Sequence, residues 1–267
     1  LLANALVGNG QDEATLELTL LGGRYRALVP LALATAGAPM RLLVHAGHGA
    51  PREITAPSSF TIEPGAEFQF EAATRGARTY LAVRGGWLAP RILGSRSSEQ
   101  PLRAGNELAA NPGRIPARRP EPENAPDRTR VTVQVLPGPD AARLAADSWL
   151  GATYRVSRDS NRVGLRLEGP EIAVDPDPVR LSAPVAPGAI QVAGGQLLVL
   201  GVAGGTLGGY PHVAQVVTTD LDLLGQLRPG DEVGFETTSL EAARARARRD
   251  REALSSRLLR IRTLASY

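Results

Sequence analysis

A chain of 267 residues, 43% hydrophobic, with 30 basic and 27 acidic side chains and a formal net charge of +3, is long enough to bury one large core or two ordinary ones. It has no Cys and all 30 basic residues are Arg, which excludes disulfides, thiolate nucleophiles, Cys-ligated zinc, Schiff-base lysines, a Walker-type lysine and a biotinyl-lysine. No apolar run approaches the ~20 residues of a membrane helix, no signal-peptide pattern occurs, and no basic stripe is interleaved with aromatics, so the expectation is a cytoplasmic protein with neither membrane nor nucleic acid as partner.

Taken in chain order, the periodicity predicts a helix over 1–7, closed by Gly8-Asn9. A Pro-Gly turn then opens a strand at Ile62-Glu63-Pro64-Gly65-Ala66-Glu67-Phe68-Gln69-Phe70, and a second strand is expected over 79–83. Five prolines and no apolar periodicity mark 111–127 as an exposed linker. The domain reading is a first β-barrel over 1–115, a Pro-rich linker over 116–128 and a second β-barrel over 129–267. Beyond the linker, short β-rich runs bounded by Gly and Pro predict strands over 131–136, 164–167, 197–202 and 213–218. A short helix is expected over 221–227, ended by Pro229-Gly230. The capping-box pattern Thr238-Ser239-Leu240-Glu241 starts a last helix over 239–256, whose arginines read as a solvated face.

Leu227-Arg228-Pro229-Gly230-Asp231-Glu232-Val233-Gly234-Phe235 aligns with the first Pro-Gly strand entry, and Leu102–Leu108 repeats part of it. Such turns are common routes into strands, but the shared Pro-Gly-x-Glu-x-x-Phe also fits two related barrels. The fold class expected is mainly β, two barrels with a few short helices.

Candidate chemistry is sparse. Three histidines and no Gly-x-Ser-x-Gly elbow leave no recognisable Ser–His–Asp arrangement. His45 and His48 lie three apart, a spacing that would bind metal only with carboxylates from elsewhere, so no metal site is expected. In Leu93-Gly94-Ser95-Arg96-Ser97-Ser98 small residues let backbone N–H groups converge, and Arg96 offers a fork for a carboxylate or phosphate; an ordinary polar loop is the plainer alternative. Arg162 stands four before Arg166, placing both on one strand face, where they bracket an anion or are neutralised by Glu168. The segment from Pro187 to Glu236 is the most suggestive: Gln191 reads as an exposed residue of a Gly-rich turn, followed by Thr206-Leu207-Gly208-Gly209-Tyr210-Pro211-His212.

Three clusters in order carry a resemblance: Tyr80-Leu81-Ala82-Val83-x-Gly85-Gly86 with Leu93-Gly94-Ser95-Arg96-Ser97; Tyr154-Arg155-Val156-Ser157 with Arg162-x-Gly164-x-Arg166-Leu167-Glu168-Gly169; and the Pro187–Glu236 segment. Together they resemble the biotin-dependent carboxyltransferase family, whose stand-alone bacterial members are the 5-oxoprolinase C subunits, also called allophanate hydrolase subunit 2; the same module is part of urea carboxylase. The resemblance spans nearly the whole chain and implies cyclophilin-like barrels and a cleft with this segment as one wall. It implies B and A partner subunits and a small amide or carboxylate substrate. ATP would be used by the complex to open the lactam of 5-oxoproline to glutamate, the chain being inactive alone. Phosphorylating the carbonyl oxygen of an unstrained lactam supplies a leaving group, and Arg or backbone donors would stabilise the developing charge. The candidate contacts are Arg96, Ser97, Arg162, Gln191, Thr206, Tyr210 and His212, with no catalytic residue singled out.

Two alternatives stay open. One is a carboxyltransferase component receiving a carboxyl group from biotin carried on another chain; the other is a non-catalytic regulator of a kinase-inhibitor partner. The chain also departs from the family pattern. Members begin about thirty residues upstream and carry a loop of roughly ten residues after the counterpart of Ser97-Ser98. Gly204-Gly205 stand where the family has Arg-Gln.

Overall fold

The computed structural model describes the chain except for positions 48, 99, 121–129, 146–148, 176, 178, 180, 266 and 267. His48 of the histidine pair and most of the expected linker therefore lie outside the described residues. The chain divides into two compact units, one of residues 1–125 and 252–267, the other of residues 126–251. The fold class is mainly β, as the sequence predicts.

Among the described residues the first unit holds eight antiparallel strands: β1 (Leu16–Thr19), β2 (Arg24–Arg26), β3 (Leu31–Gly37), β4 (Met40–His45), β5 (Arg52–Ile54), β6 (Ser58–Ile62), β7 (Glu67–Ala73) and β8 (Arg78–Val83). They form two four-stranded sheets, in the orders β1-β8-β3-β6 and β2-β7-β4-β5. Alternation supplies the shared core. On β4, Met40, Leu42 and Val44 point inward while Arg41 is exposed, and Leu33, Phe60, Phe68, Phe70 and Leu81 complete the interior. The strand β3 is buried on both faces. Its second face is Ala32, Ala34 and Ala36, small enough for a helix to lie close.

That helix is α1 (Leu2–Leu6), packed on the Ala face with Leu258 and Ile261. Gly8, at φ 78°, takes the left-handed conformation that ends it, where the sequence places the stop. The buried Asn9 then donates to the Val83 carbonyl at 2.8 Å and accepts from the Gly85 N–H at 2.8 Å. Residues 116–118, at the start of the expected linker, run along β6: the Ser59 N–H donates to the Arg118 carbonyl and the Arg118 N–H to the Ser59 carbonyl. Ile115 is buried beside them.

The second unit is a closed barrel of seven strands: β9 (Arg130–Pro137), β10 (Thr153–Val156), β11 (Gly164–Glu168), β13 (Ala189–Ala193), β14 (Gln196–Leu200), β16 (His212–Val216) and β17 (Glu232–Thr237). A two-stranded ribbon, β12 (Ala183–Pro184) with β15 (Leu207–Gly208), stands outside it, and α2 (Leu221–Leu224) precedes β17. The ring order is β10-β11-β14-β13-β16-β9-β17, closed by β10 against β17. Only the β17–β9 pairing is parallel among the described barrel ladders. Val133, Val135, Tyr154, Leu167, Ile190, Val199, Val233 and Phe235 fill the interior.

The last helix, α3 (Leu240–Ala265), extends well beyond the predicted 256. Ser255-Ser256 does not break it, because Leu258 and Ile261 are buried in the first unit's core and packing decides where propensity is neutral. At its start the Ser239 hydroxyl accepts the Ala242 N–H at 3.1 Å, so the cap is Ser239, one residue after the Thr238 that the Thr-x-x-Glu pattern would place there.

The aligned Pro-Gly entries adopt one conformation. Gly65 and Gly230 have φ of 82° and 94°, the Ala66 N–H bonds the Glu63 carbonyl, and the Asp231 N–H bonds the Arg228 carbonyl. The likeness reaches further than those entries. Leu21-Gly22-Gly23-Arg24-Tyr25-Arg26-Ala27 and Leu150-Gly151-Ala152-Thr153-Tyr154-Arg155-Val156 share a Leu-Gly-x-x-Tyr-Arg pattern. Tyr25 pairs with Phe68 and Tyr154 with Val233, in the same register relative to the Pro-Gly turn. The next residue makes the same ion pair in both units, Arg26–Glu67 at 2.5 Å and Arg155–Glu232 at 3.6 Å.

Candidate functional site

The Pro187–Glu236 segment supplies β13, β14, β16 and most of β17, and its candidate residues lie on and between β13 and β16. Register breaks between Ile190 and Gln191: Ile190 faces Ala214, whereas Gln191 faces His212, so Val213 is the extra residue. A bulge of this kind re-aims side chains at the edge of a site. The bulged backbone is held by the turn after β9. The Gly138 N–H donates to the Val213 carbonyl at 2.9 Å, and the Asp140 N–H to the His212 carbonyl at 3.0 Å. A side chain at 138 would put its Cβ 2.3 Å from the His212 oxygen, so this approach needs glycine.

Asp140 closes the turn with its side chain. One carboxylate oxygen accepts the His212 backbone N–H at 2.7 Å and the other lies 3.4 Å from Arg143. Arg143 is also 3.3 Å from Asp177 and donates to the Asp175 carbonyl. The guanidinium thus ties the β9 turn, the entry to β16 and the 175–177 segment into one unit.

Gln191 is not the exposed turn residue that the Gly-rich context suggests. It lies within β13 and is only 2% exposed. Its Nε2 donates to the Tyr210 carbonyl at 3.4 Å, and a Cβ at position 208 would fall 2.2 Å from that nitrogen. Gly208 is therefore the space into which the amide fits. Tyr210 itself is 52% exposed. Gln191 and His212 are thus paired across β13 and β16, and the Gln191 amide reaches the backbone of Tyr210, two residues before His212.

The other candidates lie elsewhere. Thr206 is exposed, its carbonyl accepting the Val185 N–H at 3.0 Å as the β12–β15 ribbon begins. Arg162 precedes β11 instead of standing on it, which corrects the shared strand face with Arg166. The Asn161 side chain accepts the Val163 N–H at 2.8 Å and turns the chain there, and the Arg162 carbonyl accepts the Ala203 N–H at 3.1 Å. Arg162 is thereby linked to the 201–204 loop that leads to Thr206. Arg96 and Ser97 belong to the first unit. Leu93 and Gly94, with φ of 49° and 81°, make a tight turn between Ile92 and Ser95. Arg96 donates to the Ala89 carbonyl at 3.1 Å and lies 3.8 Å from Glu13, while the Ser97 N–H bonds the Ser95 hydroxyl at 3.0 Å.

Asp140 and Arg143 were not legible as site residues. The signal was Pro137-Gly138-Pro139-Asp140 directly after a predicted strand, a turn whose aspartate can accept backbone N–H groups. Among the described residues no group of three or more metal-ligating side chains occurs, and no helix is long and apolar enough to cross a membrane.

Known proteins share this architecture. The family model for the carboxyltransferase domain, subdomain A and B, matches residues 1–237. The 5-oxoprolinase C subunit of Escherichia coli K12 is 30% identical over 269 residues, covering 94% of this chain and 83% of that protein. The solved structure of TTHA0988 superposes with a TM-score of 0.78 at 36% identity, covering 88% of this chain and 48% of that one, so this chain spans about half its length. The Kluyveromyces lactis urea carboxylase structure superposes with a TM-score of 0.75 at 26% identity, covering 91% of this chain and 24% of that one. The chain belongs to the carboxyltransferase domain family, subdomains A and B.

Proposed function

We propose that this chain is the C subunit of an ATP-dependent 5-oxoprolinase, acting with B and A subunits to hydrolyse 5-oxoproline to glutamate and inactive without them. The observation that carries the reading is similarity covering most of both chains to a protein named as the C subunit of 5-oxoprolinase. The candidate residues of the second unit support it chemically. A lactam presents one N–H donor and one carbonyl acceptor, and 5-oxoproline adds a carboxylate. The Gln191 amide, packed on Gly208 and bonded to the Tyr210 carbonyl, holds in place the loop from which Tyr210 and His212 would offer polar contacts to such a molecule. The Asp140–Arg143 pair positions the β16 entry and does not itself bind substrate in this reading.

ATP supplies activation of the lactam oxygen when bound. This chain has no Lys and no Walker-type loop, so its own residues are assigned to holding substrate, and nucleotide binding is assigned to a partner.

A second reading has a specific observation behind it. The likeness to urea carboxylase covers 91% of this chain, which favours a carboxyltransferase component moving a carboxyl group from biotin to an amide substrate. Biotin would arrive on another chain, because this one has no lysine to carry it. The two readings separate in one assay. The chain co-purified with its B and A partners is expected to release glutamate from 5-oxoproline only with ATP present and only when all three chains are present. Biotin-dependent carboxylation without glutamate release would favour the second reading.

A further inference from the structure

The first unit contains a cluster that this functional reading does not use. The residues just after Ile115 are fixed along the edge of β6, where the Ser59 and Arg118 backbones exchange hydrogen bonds of 2.9 and 3.2 Å and the Ser59 hydroxyl donates to the Pro116 carbonyl at 2.9 Å. This pins the bases of Arg118 and Arg119. Arg52, on β5, is steadied by donating to the Thr61 carbonyl at 3.2 Å. The three side chains line one cavity of about 420 Å³, whose floor includes the buried Ile54 and Phe60. Arg118 also borders a second cavity of about 330 Å³ beside Leu6 and Ile261.

Three arginines on one cavity repel unless something anionic lies among them. Among the described residues none of them pairs with a carboxylate. Glu53 reaches the cavity wall, but its carboxylate is engaged by Arg41 at 2.9 Å. The Arg118 Nη1 is buried and makes no hydrogen bond. A buried guanidinium N–H without an acceptor is costly, so its persistence calls for an oxyanion. The hydroxyl protons of Ser58 and Ser59 go to the carbonyls of Thr55 and Pro116, which leaves guanidinium N–H groups as the available donors.

We propose that this cavity is a binding site for a small phosphate-bearing anion, gripped by Arg52, Arg118 and Arg119. Three guanidinium forks offer more donors than one carboxylate can accept, whereas a phosphate presents three oxygens and close to two charges. The volume lies in the range of ligand pockets, roughly 300–1,000 Å³. It leaves room for a compact organic group against Ile54 and Phe60.

Calorimetric titration of the full chain at fixed ionic strength tests this with inorganic phosphate, phenyl phosphate and acetate as probes. The expected result is saturable one-to-one binding of phosphate, tighter binding of phenyl phosphate, and acetate weaker by about tenfold or more. Arg52→Gln and Arg119→Gln, both at exposed side chains, should each weaken phosphate about tenfold or more while leaving the ligand-free melting temperature unchanged. Arg118→Gln should abolish binding; if it does not fold, the two exposed variants decide. Absence of saturable binding, or affinity indifferent to Arg52 and Arg119, would overturn the proposal. So would tighter phosphate binding by a Glu121→Gln/Glu123→Gln variant, which would mean that the chain's own carboxylates fill the site.

Discussion

At the scale of single residues the candidate site depends on Gln191 and the backbone that makes room for it. Gly208→Ala would place a methyl group 2.2 Å from the Gln191 amide nitrogen, the movable end of a side chain. The amide should therefore swing aside with little loss of stability. The expected outcome is a fall in activity of the assembled enzyme of about tenfold or more, with a melting temperature close to wild type, read by steady-state kinetics and calorimetry. Asp140→Ala acts differently. It removes the acceptor of the His212 N–H and a partner of Arg143, and should cost about 1–3 kcal/mol in denaturant unfolding, with activity lost alongside. Gln191 could be picked out from the sequence, but its burial could not, since a glutamine before Gly194-Gly195 reads as part of a turn. Asp140 is legible only as a turn aspartate, because its role depends on a bulge at His212, 72 residues away, and register between distant strands leaves no local trace.

At the scale of elements, the barrel is fastened by one buried carboxylate. Asp220 is 1% exposed; it accepts the Gln134 N–H at 2.7 Å and faces the Arg246 guanidinium at 2.6 Å, joining β9 to α3. Asp220→Ala leaves the Gln134 N–H without its acceptor and takes one partner from Arg246, which keeps Asp250 at 3.6 Å, so it should cost about 1–3 kcal/mol in equilibrium unfolding, whereas breaking the exposed Arg41–Glu53 pair should leave the unfolding midpoint close to wild type. A second element-level test uses Tyr154, whose phenol is buried in the barrel core and donates to the Trp149 carbonyl at 3.3 Å. Burial raises its pKa from 10.0 to about 12. The folded state thus holds a proton that the unfolded state releases first. The corresponding stability is complete below pH 10 and is lost as pH rises through 12. Unfolding free energy measured over that window should fall with pH, and Tyr154→Phe should flatten the fall. Most strands and the start of α3 were legible because alternation, Gly/Pro punctuation and a serine cap act locally. The extension of α3 to Ala265 was not, because Leu258 and Ile261 find their partners in α1 and β3, far away in sequence.

At the scale of the whole molecule, the Pro-Gly repeat visible in the sequence proves to be the visible end of a longer one. The Tyr-Arg strand and its Glu partner recur in both units with the same register, although the first unit arranges its strands as two sheets and the second as a ring. Only the glycine-dependent turn stands out in the sequence, because turn conformation constrains residue type far more tightly than strand pairing does. Membership of the carboxyltransferase domain family was legible for a related reason: its motifs fall where glycine, arginine and tyrosine are constrained by turns and polar contacts. The most direct test is ATP-dependent glutamate release from 5-oxoproline by this chain assembled with its B and A partners, run beside the same assembly lacking this chain and one carrying Gln191→Ala. The expected result is turnover by the complete assembly, none without this chain, and a reduction of about tenfold or more with Gln191→Ala. Full turnover without this chain, or an unaffected rate with Gln191→Ala, would contradict it.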